Sequence, residues 1–381
     1  MVNIRRVHID ELPMAAELAN YIFCETGEQY MGTAFPTLFR PGIVHSYGAF
    51  DDAGKLVSFM GLVPVVITSG SEQISAFSIG AVCTHPDYRG QRLAGQLLER
   101  CRQHAIEAGA SLMFISGDRS LYTRAGSQFF GRAYQFELTE QLAAIEPSEW
   151  LELRELEPRD LLAVHAQLQR STAHVEMSIG EMQQMLGAEA MAHVNQQQQK
   201  VLVAATSNGI AGVVILSIPH ASYNDKSQSK PPAIERAGSV IEYGGNVDAV
   251  RQLWLEAIRR FDLTTLTVTI PWQDRDLVAA AETTGASSTT IRNGGTVMIV
   301  NGGALVAQTG RLDYLNEGAP VRIALGEAGN YILHTPAGDY TLADDAELCS
   351  LLFDPHSDVL PEPNEAFQAV PLPYMYGLYF I

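Results

Sequence analysis

The sequence predicts an α/β (α+β) protein with more than one domain, and three observations support this class. The chain has 381 residues, more than the roughly 100–200 residues of an ordinary domain. Hydrophobic residues make up 46% of it and charged residues 18%, as expected of packed cores with little disorder. A unit of strand, glycine turn, helix and strand occurs twice, over 73–115 and 239–270, which predicts two related domains.

Hydrophobic spacing assigns the elements of the first domain, residues 1–145. These elements are a helix at 10–23, strands at 44–50, 56–67 and 73–83, a helix at 93–108, a buried strand at 111–115, a helical turn at 121–125 and a closing strand at 134–138. The residues between the first helix and the strand at 44–50 are expected to form a loop. The helix at 93–108 has an apolar face that includes Leu93, Leu97 and Cys101, which predicts packing on a sheet.

The remaining chain predicts a second domain at 146–295 and a small C-terminal α+β domain at 296–381. The second domain is expected to contain a helix at 158–171, strands at 201–205, 210–218, 239–243 and 266–270, a polar loop at 222–238 and a helix at 247–261. In the C-terminal domain, Asp344 and Asp345 suit the first turn of a helix at 344–352. The apolar end, 374–381, predicts a tail packed into the body of the protein.

The overall charge limits the classes of function. The formal net charge is −18, which disfavours binding to nucleic-acid phosphates and favours cationic partners. The four cysteines form no C-x-x-C pair and no His/Cys cluster has zinc spacing, so we expect no metal and a reducing compartment. No apolar run approaches the ~20 residues of a membrane helix. We therefore expect a cytoplasmic protein without nucleic-acid or membrane partners.

The strongest functional signal is the turn over 84–94, which joins the strand at 73–83 to the helix at 93–108. A helix N-terminus offers unpaired backbone N–H groups and the positive end of the helix dipole, and both favour an anion. Gly90 allows the backbone to approach a ligand closely, while Arg89 and Arg92 add positive charge. The turn therefore predicts a pyrophosphate site.

Residues 89–94 resemble the coenzyme-binding motif of the GNAT superfamily of N-acetyltransferases, Gln/Arg-x-x-Gly-x-Gly/Ala after Pro-x-Tyr. Arg92 departs from the motif, because it stands where the first signature glycine is expected. The resemblance implies a GNAT fold with a mixed central sheet and acetyl-CoA as cosubstrate. It also implies a splayed strand before the turn, where Val82 and Thr84 pair with the pantetheine arm. The residues that it assigns to the pyrophosphate are Arg89, Gly90, Gln91, Arg92, Leu93 and Ala94.

A second motif, over 122–127, resembles the family's Tyr-x-x-x-Gly-Phe element, with Ser127 in place of the phenylalanine. In the family this tyrosine lies beside the thioester sulfur and serves as general acid. The role suits Tyr122 because the departing thiolate needs a proton, and a phenol with an ordinary pKa of ~10 keeps its proton at neutral pH. The alternative is a tyrosine that only packs.

The amine pocket and the base have weaker signals. In the family, the region after the first helix forms part of the acceptor pocket. The resemblance therefore assigns substrate binding to Phe23, Glu25, Glu28 and Tyr30, whereas the alternative is an ordinary solvated loop. An amine must lose a proton before it attacks, and the candidate bases are Glu25, Glu28, Asp118 and the carboxylate of Ile381.

The whole layout is similar to the enhanced-intracellular-survival (Eis-like) branch of the family. That branch has an acetyltransferase domain, a second degenerate GNAT-like domain and a domain like sterol carrier proteins. The likeness implies Ile381 as base, a homo-oligomer, and as acceptor a primary amine of a cationic small molecule or peptide. Two alternatives are an acetyl-CoA sensor that has lost transfer, favoured by Arg92 and Ser127, and a self-assembling scaffold.

Overall fold

The computed structural model describes residues 2–25, 28–144, 150–220, 236–311, 321–326, 329–336, 338–360 and 367–381. The chain divides into two compact units. The first comprises Met1–Gly131, Gly294–Met375 and Ile381, and the second comprises Arg132–Asn293 and Tyr376–Phe380.

Strands and helices are numbered along the chain, and the first unit begins with ten of them. They are β1 (Asn3–Arg6), α1 (Leu12–Phe23), α2 (Met31–Ala34), α3 (Pro36–Phe39), β2 (Tyr47–Phe50), β3 (Leu56–Ser69), β4 (Glu72–Thr84), α4 (Leu93–Glu107), β5 (Leu112–Ile115) and α5 (Ser120–Thr123). Short 3-10 turns at Ile9–Glu11 and Pro86–Tyr88 precede α1 and α4. Two helices, α2 and α3, lie in the segment that the sequence assigned to a loop.

The second unit follows. Its elements are β6 (Ala133–Thr139), β7 (Glu152–Glu155), α6 (Leu161–Leu168), β8 (Ala173–Val175), α7 (Ile179–Ala188), α8 (Ala190–Val194), β9 (Gln198–Thr206), β10 (Gly209–Ile218), β11 (Ala237–Gly245), α9 (Val247–Arg260), β12 (Thr265–Pro271), α10 (Arg275–Glu282) and β13 (Ser287–Ile291). Most of the predicted polar loop at 222–238 lies outside the described residues.

The chain then returns to the first unit. The elements there are β14 (Thr296–Ile299), α11 (Gly302–Gln308), β15 (Arg322–Leu325), β16 (Tyr331–Thr335), β17 (Gly338–Leu342) and α12 (Asp345–Phe353). The three strands β15, β16 and β17 form an antiparallel sheet. The Asp344 carboxylate caps α12 by accepting hydrogen bonds from the N–H groups of Ala346 and Glu347. This agrees with the prediction that acidic residues lie at the start of this helix. The likeness of this region to sterol carrier proteins stays a prediction.

The main path of the first sheet has the order β1-β2-β3-β4-β5-β14. Its neighbours pair antiparallel except β4 and β5, which pair in parallel. A parallel pair needs a crossover connection, and α4 supplies it. The side chains of α4 that are buried recur every three or four residues, which confirms the predicted packing face. They are Leu93, Leu97, Leu98, Cys101 and Ala105.

The second sheet repeats this arrangement in the order β7-β9-β10-β11-β12-β6-β13. Its pairs are antiparallel except β11 and β12, which pair in parallel with α9 between them. The strand β11 has a register shift against β10, between Ile215 and Leu216. The strand β4 has one against β3, between Phe59 and Gly61. The predicted second copy is therefore confirmed at the level of topology.

One predicted strand belongs to the other sheet. The segment over 134–138 was expected to close the first domain, but β6 pairs with β12 and β13 in the second sheet. The place beside β5 is taken by β14, whose Thr296–Ile299 pair with Ile115–Leu112. A strand with alternating apolar and polar residues can pair at the edge of either sheet, so tertiary packing determines its partner. The boundary expected at 145/146 lies outside the described residues, and the three-domain division stays a prediction.

Candidate functional site

The strand β4 separates from β5 near the end of the first sheet. The parallel ladder joins Ala76–Ile79 to Leu112–Ile115 and stops there, whereas β4 continues to Thr84 on β3 alone. Between Phe59 and Gly61 of β3, two residues of β4 oppose one, and the first of them, Ala81, has a φ of 49°. The bulge leaves the β5-facing backbone edge of residues 80–84 outside that ladder. The predicted splay of this strand is therefore observed.

Local hydrogen bonds hold the turn after β4. The His85 N–H donates to the Val57 carbonyl over 2.8 Å, and the Tyr88 hydroxyl donates to Asp51 Oδ2 over 2.9 Å. Gly90 has a φ of 80°, a conformation that glycine adopts without steric cost. A side chain placed on Gly90 would meet no atom within 4 Å, so its surroundings are open.

The helix α4 begins with unpaired amides. Its hydrogen-bond ladder starts with the Gln96 N–H, which donates to the Arg92 carbonyl over 3.2 Å. The N–H groups at positions 92–95 precede that ladder, and no side chain caps the helix. The side chains of Arg89 and Arg92 are exposed beside them. Free amides, a helix dipole and two guanidinium groups at one point are features that favour a bound anion.

Arg92 has an uncommon backbone. Its φ of 58° and ψ of 23° are left-handed, as is typical of glycine. The signature glycine that Arg92 replaces thus corresponds to a position where the backbone itself favours glycine. The backbone amide is retained. Because the arginine side chain is exposed, it meets no clash, and the cost of the left-handed conformation is the backbone strain.

Tyr122 lies on α5 and is 5% exposed, packed in the core that α4 forms with the first sheet. Its carbonyl accepts a hydrogen bond from the Ser127 N–H over 3.0 Å, and Gly126, with a φ of 97°, makes that return of the chain possible. Burial raises the pKa of Tyr122 to about 12. The phenol therefore keeps its proton at neutral pH, and no described residue forms a hydrogen bond with its hydroxyl.

The carboxyl group of Ile381 lies where β4 leaves β5. The side chain is 4% exposed, which confirms the prediction of a packed tail. A methyl group built on Gly80 would lie 2.7 Å from the Ile381 carbonyl oxygen and 3.0 Å from its Cγ1. Such contacts are too short for a Cβ, so the close approach of Ile381 requires glycine at position 80. No sequence signal marks this pair, which is 301 positions apart in the chain.

The residues assigned to the amine pocket lie at the end of α1 and just after it. Phe23 is 42% exposed, Glu25 and Glu28 are exposed, and Tyr30 is half-buried. Asn20 orders this segment, since its Oδ1 accepts hydrogen bonds from the Met31 N–H and the Cys24 thiol. Burial raises the pKa of Tyr30.

Two other aromatic residues of this segment lie in the core. Phe35 and Phe39 are buried, and Phe39 stacks on Phe59 with 5.7 Å between ring centroids. Phe39 therefore packs α3 on β3. Asp118, the remaining candidate base, is exposed in the turn after β5.

A stacked pair that the sequence did not predict joins α1 to the turn. The rings of Tyr21 and His85 stack with 5.3 Å between centroids and 13° between planes. His85 directly precedes the 3-10 turn that leads to Gly90. The end of α1, which leads into the candidate acceptor segment, is therefore adjacent to the turn.

The corresponding turn of the second unit differs. Asn246 caps α9, and its side chain accepts hydrogen bonds from the Asp248 and Ala249 N–H groups. Asp248 adds negative charge in the first turn. These amides are already satisfied and the turn has no counterpart of Arg89 and Arg92, so the start of α9 lacks the features that favour an anion at α4.

Residues 3–130 match a family model described as an acetyltransferase (GNAT) domain. The match identifies these residues as a GNAT acetyltransferase domain, and it supports an acyltransferase activity for that domain. No curated protein sequence matches it.

Several solved structures share the fold. A GCN5-related N-acetyltransferase from Anabaena variabilis is 14% identical, with all of both chains covered and a TM-score of 0.63. A probable N-acyltransferase from Enterococcus faecalis is 13% identical over 90% of this chain and 85% of that one, with a TM-score of 0.62. Eis1 from Mycobacterium abscessus is 12% identical over 92% and 89%, with a TM-score of 0.60. At such identities the likeness shows a common fold.

Within the described ranges, no helix combines the length and the apolar character needed to cross a bilayer. In the same part of the chain, no three His, Cys, Asp or Glu side chains lie close enough together to hold a metal ion.

Proposed function

We propose that the GNAT domain binds acetyl-CoA at the turn over 84–94 and transfers the acetyl group to a primary amine of a cationic small molecule or peptide. The observation that carries the proposal is the group of unpaired amides at the start of α4, flanked by Arg89 and Arg92 at the carboxyl end of β4. The pyrophosphate is negatively charged and extended, so several N–H donors at one helix end suit it.

The same geometry suits the pantetheine arm. Beyond Ile79, β4 has lost β5 as a neighbour, so the backbone groups of Val82 and Thr84 can pair with amides of the arm as an added strand would. The pyrophosphate then lies at Arg89, Gly90, Gln91, Arg92, Leu93 and Ala94. From the pyrophosphate, the pantetheine arm extends along β4, so that the thioester lies near the point where β4 and β5 diverge.

The chemistry proposed there is direct attack. The amine loses a proton to the Ile381 carboxylate, and its nitrogen attacks the thioester carbonyl to form an amide bond as the carbon–sulfur bond breaks. The departing sulfur takes a proton from the Tyr122 hydroxyl, the new amide nitrogen gives its surplus proton to the resulting phenolate, and the Ile381 carboxyl group releases its proton to solvent. An α-carboxyl group, with an ordinary pKa of ~3.5, is ionised at neutral pH, while burial keeps the phenol of Tyr122 protonated. No covalent enzyme intermediate is needed.

The acceptor is proposed to be a cation. Glu25 and Glu28 are exposed after α1, in a chain of net charge −18, and a protonated amine is attracted to such a surface. Phe23 and Tyr30 supply apolar area beside them. Peptide lysines, polyamines and aminoglycosides all present amines of this kind.

The test is acetyl-CoA binding by calorimetry together with release of free CoA thiol against a panel of polyamines, aminoglycosides and lysine peptides. We expect binding, thiol release with cationic amines, and loss of binding when Arg89 and Arg92 are both replaced by alanine. Arg159→Ala, on an exposed side chain of the second unit, is the control. Tight binding without thiol release from any amine would identify a coenzyme sensor instead, and absence of binding would refute the proposal.

A further inference from the structure

The second unit contains a cavity where its two parallel strands diverge. The ladder between β11 and β12 joins Ala237–Ser239 to Thr265–Thr267 and stops there. Beyond it, β11 continues to Gly245 on β10, whereas β12 continues to Pro271 on β6. The cavity lies between the end of β11, the start of α9 and the segment after β12, and the described residues that line it all belong to the second unit. Its volume of about 740 Å³ is in the range of small-molecule sites.

One wall of this cavity carries a carboxylate in an unusual setting. Asp274 directly precedes α10, where an aspartate side chain ordinarily accepts hydrogen bonds from the first N–H groups of the helix, but it caps none of them. Its Oδ2 instead accepts a hydrogen bond from the Tyr243 hydroxyl over 2.5 Å. Both residues are half-buried, and burial raises the pKa of each above its ordinary value. The carboxylate is therefore held in the wall of the cavity rather than on its own helix.

The negative charge of Asp274 is not balanced by a neighbour. Within the part of the chain that the structure describes, the Tyr243 hydroxyl is the one hydrogen-bond partner of this carboxylate, and no cationic side chain forms an ion pair with it. A partly buried charge without a counter-charge is costly. A ligand that donates to Oδ1 from a positively charged group would offset that cost with a charge-assisted hydrogen bond.

The same cavity is lined by two guanidinium groups. Arg170 follows α6 and Arg275 begins α10, and both side chains are exposed. Neither forms an ion pair with another described residue. With Asp274 and Asp276, which also line the cavity, the charged side chains there are two positive and two negative. Such a mixture disfavours both a polycation and a polyanion, and favours a ligand with one group of each sign.

The cavity does not suit the coenzyme, although its place in the topology corresponds to the proposed coenzyme site of the first unit. The Asn246 side chain already occupies the N–H groups of Asp248 and Ala249 at the start of α9. The carboxylates of Asp274 and Asp276 would repel a pyrophosphate. A different ligand is therefore needed to explain the arrangement.

We propose that this cavity binds a small zwitterion, an amino acid or a short peptide, whose ammonium group pairs with Asp274 and whose carboxylate lies near Arg170 and Arg275. The Tyr243 hydroxyl holds the Asp274 carboxylate in place for the ligand. The site is additional to the proposed acetyl-transfer site, and its occupancy can be measured without acetyl-CoA.

Four small probes test the charge pattern by calorimetry on the whole protein. δ-Aminovalerate, cadaverine and glutarate have the same number of carbon atoms but carry, respectively, one charge of each sign, two positive charges and two negative charges. We expect δ-aminovalerate to bind at least about tenfold more tightly than the other two, because each of those leaves a charged group of the cavity unmatched. Glycylglycine has the length of δ-aminovalerate and adds a peptide group, so the ratio of their affinities shows whether a peptide or an amino acid is preferred.

Variants of the cavity locate the binding. Asp274→Asn keeps the size of the side chain and removes its charge, and it should fold because burial disfavours the charged form. We expect D274N to weaken δ-aminovalerate binding at least about tenfold, as loss of a charged hydrogen bond does. Replacing Arg170 and Arg275 together by alanine should weaken it roughly two- to tenfold. Asp248→Asn, at an exposed position of α9 that does not line the cavity, is the control and should bind as the wild type does.

The comparison with D274N also separates this cavity from the amine pocket proposed for the first unit. Cadaverine binding that D274N leaves unchanged is assigned to that pocket and is subtracted. If D274N does not fold, Tyr243→Phe takes its place, since it removes the hydroxyl that holds the carboxylate, and it should weaken δ-aminovalerate binding about threefold or more.

The proposal is overturned if neither δ-aminovalerate nor glycylglycine binds at millimolar concentration, or if D274N binds them as tightly as the wild type. It is equally overturned if the cavity takes cadaverine or glutarate as tightly as δ-aminovalerate. Acetyl-CoA binding is measured on the same wild-type preparation, and its absence would refute the proposed function of the first unit without affecting this site.

Discussion

At the scale of single residues, Arg92 combines a backbone strain with a useful charge, and two substitutions separate them. Arg92→Gly relieves the left-handed φ of 58° and should raise the free energy of unfolding by about 1 kcal/mol. Arg92→Ala keeps the strain and should leave stability within about 0.5 kcal/mol. Both remove the guanidinium and should weaken acetyl-CoA binding about two- to fivefold. Chemical denaturation and calorimetry measure the two effects, and equal stability of R92G and R92A would contradict the strain.

The buried hydroxyl of Ser127 lowers the stability of the fold. It stands where the family motif has an apolar ring, is 2% exposed, and its hydroxyl has no hydrogen-bond partner among the described residues. Ser127→Ala should therefore raise the free energy of unfolding by about 1 kcal/mol. Ser111 is the matched control, since it is equally buried but its hydroxyl donates to Gln308 Oε1 over 2.6 Å. Ser111→Ala should lower the free energy of unfolding by about 1 kcal/mol. Thermal unfolding of both variants tests whether the two substitutions change stability in opposite directions.

At the scale of elements, β4 supplies the space that the Ile381 carboxyl group occupies. Gly80→Ala places a methyl group 2.7 Å from the Ile381 oxygen, so the carboxylate must move. We expect kcat for amine acetylation to fall by at least about tenfold. The control is Gly187→Ala on α7, where an added methyl group meets nothing within 4 Å. Steady-state kinetics compares them, and unchanged kcat in G80A would argue against a carboxylate base at this place.

The elements of the site were predictable to the extent that they are local. The period of α4, the turn after β4 and the acidic start of α12 follow from neighbouring residues, so the sequence located all three. The sequence did not predict that β6 pairs in the second sheet and β14 in the first. A strand of alternating apolar and polar residues does not specify its partner strand. The Gly80–Ile381 and Tyr21–His85 contacts join residues far apart in the chain, and one sequence has no signal for them.

At the scale of the whole molecule, the duplication extends to an ion pair near the start of each sheet. The Arg5 guanidinium on β1 donates two hydrogen bonds, of 2.8 and 2.7 Å, to Glu11 six residues later. On β7, Arg154 donates two, of 2.6 and 2.9 Å, to Asp160, again six residues later. Each carboxylate also accepts a backbone N–H at the start of its 3-10 turn. The shared Arg-x5-acid-Leu spacing is a residue-level trace of the repeat that the sequence already contained.

This pair gives the first sheet a defined acid sensitivity. The hydrogen bonds from Arg5 lower the pKa of Glu11 to about 2 from an ordinary 4.5, so the folded state binds this proton less readily than the unfolded chain. Its stabilisation is thus present above pH ~4.5 and is lost as the pH falls through about 2. Glu11→Gln should cost about 1 kcal/mol at pH 7, and the difference from wild type should shrink across that window. Glu17→Gln, on an exposed side chain of α1, should show neither effect. Unfolding measured at pH 7, 4.5, 3.5 and 2.5 tests this, and a gap that stays constant down to the lowest pH would show that the Arg5–Glu11 pair does not set the acid response.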